Sequence, residues 1–227
     1  MEWPAGGARG RLAGAIVLVG ALLMALAPSA SGLPAPAPTP TRKADKVLYL
    51  TFDDGPVAGR TPQLLRVLAA HDATATFFLV GGMAEGHPRL VRRIASAGHA
   101  IGNHTQSHAR LTDLSRPQVR RQLRWATKAI GPSMGPCMRP PYGLINARVR
   151  REATQQGLTP VMWSGHIEDW ATHSVAWHVG QLKRYTRPGA IILLHDRNIR
   201  TIRAVRRMLP VWQEMGYRLE SLPACRR

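Results

Sequence analysis

Two adjacent carboxylates, Asp53 and Asp54, stand in Thr51-Phe52-Asp53-Asp54-Gly55-Pro56, directly after the apolar run Val47-Leu48-Tyr49-Leu50. Two imidazoles stand four residues apart in Asn103-His104-Thr105-Gln106-Ser107-His108. If that segment is helical they share one face and can ligate one metal ion. A carboxylate and two imidazoles make a three-ligand zinc site with a position left for water, the open type that performs chemistry. The remaining carboxylate can then serve as base. A further His, in Ile191-Ile192-Leu193-Leu194-His195-Asp196, can serve as acid. This is the minimum equipment for metal-assisted hydrolysis of an amide or ester. Taken singly, each motif has a plainer explanation: an acidic turn, a coincidental His pair, the end of a buried strand. Position 105 is Thr, so the His pair is not the His-Glu-x-x-His of metalloproteases. Two more clusters complete the set: Arg139-Pro140-Pro141-Tyr142-Gly143, and Trp163-Ser164-Gly165-His166-Ile167-Glu168-Asp169-Trp170.

All these residues fall where strands are expected to end. The apolar run at 47–50 reads as a buried strand stopped by Gly55-Pro56, which places the carboxylates at its C-terminal rim. Thr61-Pro62 opens a helix running to about residue 71, with Pro at its first position. Strands are then expected at 73–80, 99–104, 137–142, 158–164, 190–195 and 217–222. Helices are expected at 87–97, 115–130, 146–156, 172–185 and 198–213. Strand and helix alternate seven times, which argues for parallel strands with helices outside, as a barrel or an open sheet. In a barrel of this kind the C-terminal rim is where the chemistry sits.

The ends of the chain carry other signals. Arg9 and Arg11 precede an apolar run at 12–27, and small residues follow at 29–32. That is the order of a secretory signal, read over 1–32, and the run is short for a membrane span of about 20 residues. An uncleaved anchor is the alternative, and the membrane is an expected partner only in that case. Residues 33–45, with Pro34, Pro36, Pro38 and Pro40, read as an extended linker, and the folded domain is expected over 46–225. The only two cysteines, Cys137 and Cys225, form one disulfide in an exported protein or remain two buried thiols. The chain of 227 residues carries a net charge of +18. Arg116, Arg120, Arg124 and Lys128 share one helical face, as a solvated surface does. The sharper reading is attraction to an anionic cell-wall polymer. No nucleic-acid-binding motif is visible, so nucleic acid is not an expected partner.

The five motifs, in this order, resemble those of the polysaccharide deacetylases of the NodB-homology type, carbohydrate esterase family 4. The resemblance covers about residues 46–222. It implies a single-domain α/β fold, a distorted (β/α)7 barrel. It also implies a metal-dependent hydrolase acting on carbon–nitrogen bonds other than peptide bonds. Carried over position by position, it makes Asp53 the general base, with Asp54, His104 and His108 holding a divalent metal, usually zinc. Arg139 keeps Asp53 ionised and oriented, the Tyr142 backbone N–H and the metal stabilise the oxyanion, and His195 protonates the leaving amine. Leu193 and Trp170 wall the acetyl-methyl pocket, and Asp169 is placed with them at the substrate.

One departure stands out. The family's fourth motif usually reads Asp-x-x-Asp-Trp; here Asp169 and Trp170 are present but the first acidic position holds His166. If that position supports the catalytic His, His166 is expected to hydrogen-bond His195, and when cationic to lower its pKa, with Glu168 as a substitute acid. The expected function is a secreted enzyme, extracellular or wall-associated, removing the N-acetyl group from N-acetylglucosamine in an acetylated glycan, foremost peptidoglycan. The alternatives are a chitooligosaccharide N-deacetylase, an acetylxylan O-deacetylase, or a non-catalytic wall-glycan-binding protein.

Overall fold

The computed structural model describes residues 46–227. The expected signal and Pro-rich linker lie outside the described residues. Strand β1 (Val47–Asp53) is followed by helix α1 (Thr61–Ala69), β2 (Thr76–Leu79), α2 (Gly81–Gly86), α3 (Pro88–Ser96) and β3 (Ala100–Asn103). Helix α4 (Arg116–Ile130), β4 (Cys137–Met138), α5 (Ala147–Gln155), β5 (Thr159–Pro160) and β6 (Gly165–His166) come next. The chain ends with α6 (Val175–Tyr185), β7 (Ile191–His195), α7 (Ile199–Glu214) and β8 (Arg218–Leu219).

Every pairing is parallel, in the order β5-β4-β3-β2-β1-β7-β6, and β8 pairs with the base of β1. Among the described residues no pairing joins β5 to β6. The curled sheet is therefore an incomplete barrel, the distorted seven-strand form expected, with a short eighth strand added. Strand β1 is central and covered on both faces, with Leu48, Leu50 and Phe52 apolar on one and Thr51 and Asp53 buried on the other. Toward the helices, Leu48, Leu50, Phe52, Phe77, Leu79, Ile192 and Leu194 pack with α1 and α7 around Trp212. Inside the curl, Phe78, Cys137, Val161, Leu222 and Cys225 form a smaller cluster. Phe77 and Phe78 serve opposite faces because side chains alternate along a strand.

Local chemistry places the helix starts. Ser115 and Gln118 form a reciprocal capping box on α4. Ser174 accepts from Trp177 N–H at the start of α6, and Asn198 from Arg200 N–H at the start of α7. The strands after β3 are shorter than expected. Pro140 and Pro141 supply no ladder donors, so the expected strand at 137–142 ends at Met138 and a tight turn, Pro141–Gly143, follows. The expected strand at 158–164 is only β5. Pairing resumes as β6, where Gly165 lies so close to the Tyr185 ring that a Cβ would stand 2.5 Å from it. The expected strand at 217–222 shrinks to two residues, and α2 was not anticipated.

Cys137 and Cys225 are joined by a disulfide that ties the C-terminal tail to β4 inside the curl. It closes 88 residues of chain, which in the chain-entropy model stabilises the fold by about 4–5 kcal/mol. Replacing either cysteine by Ser, or adding reductant, is expected to lower the melting midpoint by about 10 °C. Thermal melts of oxidised, reduced and Cys225→Ser protein check this; coincident midpoints would contradict it.

Candidate metal and hydrolytic site

The strand registers bring the separated motifs to one rim. Asp53 pairs with His195 across β1 and β7, Leu79 with Asn103 across β2 and β3, and Asn103 with Met138 across β3 and β4. His104 and Arg139 each follow the last paired residue of a strand, as Asp54 does on β1. Five of the six non-glycine residues with positive φ lie on this rim: Asp54, Thr105, His108, Tyr142 and Glu168. Such backbone is costly for residues with a Cβ and is found where side chains must be aimed.

The segment carrying the two imidazoles is not the helix that their spacing suggested. It is a loop in which Asn103 Oδ1 accepts from Thr105 N–H (2.8 Å), while Gln122 Oε1 accepts from the N–H groups of Gln106 and Ser107 (3.0 Å each). Positive φ at Thr105 and His108 turns the chain so that both rings still meet, 4.9 Å apart. His104 Nδ1–H donates to the Arg139 carbonyl (2.7 Å), which leaves Nε2 as an acceptor facing Asp54 Oδ1 at 3.5 Å. His108 Nε2 faces the same oxygen at 3.1 Å, and its Nδ1 lies 3.2 Å from Tyr142 Oη.

One ligand atom from each of Asp54, His104 and His108 falls within a 4.8 Å cluster, and the buried Asp54 Oδ1 has no hydrogen-bond partner. Acceptor atoms converging on an orphaned buried oxygen fit a divalent cation, and a carboxylate with two imidazoles suits zinc. Burial pushes Asp54 upward, but His104, His195 and His108 outweigh it and hold the carboxyl well below the usual carboxylate range. Burial, with His104 alongside, lowers His108.

Arg139 is wholly buried. Its Nη1 donates to Asp53 Oδ1 (2.9 Å) and Thr51 Oγ1 (2.7 Å), Nε donates to Val161 O, and Nη2 to Met162 O (3.2 Å each). Its guanidinium lies 4.2 Å over the Phe78 ring. Asp53 is thereby held in one orientation with Oδ2 directed toward His104 Nε2, 3.8 Å away. The turn after Arg139 uses the N–H groups of Gly143 and Leu144, bonded to Pro140 O and Pro141 O, and not that of Tyr142. That N–H remains available for an oxyanion.

His195 is governed by Asp169, not by position 166. Asp169 is 2% exposed and fully engaged: Oδ1 accepts from His195 Nδ1–H (2.7 Å), and Oδ2 accepts from His195 N–H (2.8 Å) and Thr201 Oγ1–H (2.7 Å). This corrects its assignment to substrate contact, since its acceptors all point inward. The expected bond from His166 to His195 is also corrected. Register pairs His166 with Leu193, two residues before His195, and the imidazole stacks on Trp170 (5.5 Å) and Tyr185 (6.2 Å) with Nδ1 unpartnered. Glu168 faces His173 and does not substitute. Burial disfavours charged His195, but the hydrogen bond and charge of Asp169, with Asp53 and Asp54, prevail and push it up to about 9. Trp170 stands 62% exposed, edge-on to His195 at 5.9 Å, and Leu193 is buried on β7.

Two contributors had no role assigned from the sequence. Asp196, fully buried, accepts from Thr61 Oγ1–H, and Thr61 Oγ1 accepts from Val57 N–H (2.7 Å). Its carboxylate backs Gly55 so closely that a Cβ there would stand 3.0 Å from Oδ2. Arg197 Nη1 lies 3.7 Å from Asp54 Oδ2. Asp196 adjoins His195 in sequence and was visible as an unused acid; Arg197 carried no motif signal.

Substituting His104 or Asp54 by Ala is expected to weaken zinc binding by at least about 100-fold, since each removes one of three ligands. Zinc titration of dialysed protein against a competing chelator checks this. Unchanged affinity would show that the cation is held elsewhere.

A sequence model of the family described as polysaccharide deacetylase matches residues 41–161. A chitooligosaccharide deacetylase from Rhizobium leguminosarum bv. trifolii is 37% identical, over 79% of this chain and 91% of that protein. A peptidoglycan-N-acetylglucosamine deacetylase from Bacillus cereus is 33% identical, over 78% of this chain and 87% of that protein. The solved family 4 carbohydrate esterase from Streptomyces lividans, in complex with acetate, superimposes with a TM-score of 0.72 at 33% identity, covering 76% of this chain and 90% of that one. With the family match over residues 41–161 and these identities across nearly the whole length of its relatives, the chain belongs to the polysaccharide deacetylase family, carbohydrate esterase family 4, and is a hydrolase.

Proposed function

We propose that this protein removes the N-acetyl group from N-acetylglucosamine residues of a cell-wall glycan, peptidoglycan foremost, with a divalent cation, zinc, held by Asp54, His104 and His108. The observation that carries this reading is the gathering of three devices on one rim: a cation trio, the Asp53–Arg139 pair and the Asp169–His195 pair. The cation, when bound, supplies Lewis-acid activation of water and of the acetyl carbonyl. Asp53, held by Arg139, takes a proton from the attacking water as its oxygen bonds to the acetyl carbon. The Tyr142 N–H donates to the developing oxyanion. His195 protonates the sugar nitrogen as the carbon–nitrogen bond breaks, and acetate and a free amino sugar leave.

A glycan substrate suits the rest of the rim. Tyr142, Leu144, Met162 and Trp170 are exposed large apolar side chains on the loops after β4, β5 and β6, and aromatic rings offer flat apolar faces to sugar rings. The Bacillus cereus relative supports peptidoglycan as substrate, and the Rhizobium relative supports a chitooligosaccharide as the second reading. Action outside the cytoplasm is part of the proposal. It rests on the signal-like residues 1–32 and on the disulfide, a bond that persists in oxidising compartments. Among the described residues no helix is long and apolar enough to cross a membrane.

Acetate release from N-acetylated peptidoglycan and from chitin oligomers is expected to require zinc, to stop with chelator, and to fall at least about 100-fold in Asp53→Asn. Release insensitive to both changes would sink the reading. The state of His195 sets the pH dependence. An acid raised to about 9 is charged at neutral pH and is lost as pH rises through that value, so the rate declines on the basic side. In Asp169→Asn the ring loses its main offset to burial, and the basic limb moves to lower pH. In His166→Asp it stays in place, because position 166 does not contact His195. A pH–rate profile in which only His166→Asp moved the limb would reverse these assignments.

A further inference from the structure

The same rim carries two exposed guanidinium groups that the chemistry above does not use. Arg197 follows the His195-Asp196 end of β7, and its side chain is 62% exposed. Its ion pair among the described residues is the 3.7 Å approach to Asp54 Oδ2, the oxygen that also faces His195 Nε2 at 4.0 Å. A cation on Asp54 competes with Arg197 for that carboxylate and leaves the guanidinium in need of another anion. Arg110, exposed at the His108 ligand, lies 4.9 Å over the Tyr142 ring, and Tyr142 packs edge-on against His108 at 4.7 Å. Among the described residues no carboxylate pairs with Arg110. The two arginines therefore flank the cation trio, Arg197 beside the Oδ2 side of Asp54 and Arg110 beyond the His108 side.

We infer that Arg110 and Arg197 are specificity residues that read carboxylates on the sugars next to the reacting N-acetylglucosamine. The substrate they select is an acidic glycan in which that unit alternates with a sugar bearing a free carboxylate, as it does with N-acetylmuramic acid in peptidoglycan strands stripped of their peptides. The inference rests on the N-deacetylase reading of the site and names what lies on either side of the scissile acetyl group. Three features carry it. Both groups are arginine, whose planar fork matches a carboxylate in a bidentate pair. Stacking on Tyr142 orients the Arg110 guanidinium and lowers the entropic cost of using it. An alternating glycan threaded through the site presents an acid on each side, and the structure presents a cation on each side. A neutral glycan such as chitin offers neither arginine a partner.

The test compares three oligosaccharides of equal length: alternating N-acetylglucosamine and N-acetylmuramic acid, the same compound with every carboxyl reduced to the alcohol, and chitin. Each is titrated by calorimetry into zinc-loaded Asp53→Asn protein, in which turnover is slowed and the cation takes Asp54 from Arg197, and acetate release is followed in parallel with zinc-loaded protein that keeps Asp53. The carboxylated compound is expected to bind about tenfold more tightly than its reduced form, from two charge-assisted pairs at a solvent-exposed rim. That ratio shrinks with added salt and falls to near one in the Arg110→Gln, Arg197→Gln double variant. Thermal melts confirm that the variant is folded, as expected for two exposed positions. Equal affinity for carboxylated and reduced oligosaccharides with both arginines present overturns the inference, and so does a ratio that survives when both are replaced in the same zinc-loaded background. Failure to release acetate from any of the three strikes the N-deacetylase reading instead, and the calorimetric ratio still decides the role of the arginines.

Discussion

The rim is organised around a cation that cannot leave the protein interior. Arg139 is wholly buried, and a buried guanidinium survives only if its donors are satisfied and its charge is met. It is met by Asp53 and satisfied by Thr51 on β1, by Val161 after β5 and by Met162 beyond it. These bonds tie β1 to the strands on the far side of the curled sheet, where the ladders are only two residues long. Removing either partner would leave an uncompensated buried charge, so the orientation of Asp53 and local stability are enforced by one interaction.

Around that pair the backbone is held in conformations it would not adopt unaided. The positive φ of Asp54, Thr105, His108 and Tyr142 is supported by neighbours that supply specific contacts. Asp196 and Thr61 brace the chain beyond Asp54, Gln122 accepts from two N–H groups of the His loop, and the Arg139 carbonyl orients His104. The cation trio is thus aimed by residues that contribute no ligand atom to it. The two carboxylate–base pairs also divide the electrostatic work. Arg139 orients Asp53, whereas Asp169 keeps His195 charged, and burial on its own would do the opposite to an imidazole. The replacement of an acid by His166 disturbs neither pair, because the β6–β7 register directs that ring toward Trp170 and Tyr185.

Legibility followed the range of the interactions. Elements governed by neighbours in sequence were read correctly: β1 from its apolar run, α1 from Thr61-Pro62, α4 from the apolar stripe Val119, Leu123, Ala126 and Ile130, α7 from its inward Ile202, Leu209 and Trp212. The two-residue strands β4, β5, β6 and β8 were misjudged in extent. Their length depends on how far a partner strand runs alongside, and no local pattern records that. The His pair shows the difference most clearly. Its residue types identified a metal site, but the four-residue spacing suggested a helix where a loop performs the task.

The sequence by itself determined the alternation of strand and helix, the fold class, and which residues make up the candidate site. Those depend on residue type, on hydrophobic period and on the turn chemistry that ends each strand, all of which are local. Only the tertiary structure decided which acid serves His195, that Asp169 faces inward, that Asp196 braces the turn after Asp54, and that Cys137 meets Cys225. Each is a contact between residues distant in the chain. Such contacts are selected by strand register and by the requirement that buried charges be paired, and neither can be evaluated until the sheet is closed around them.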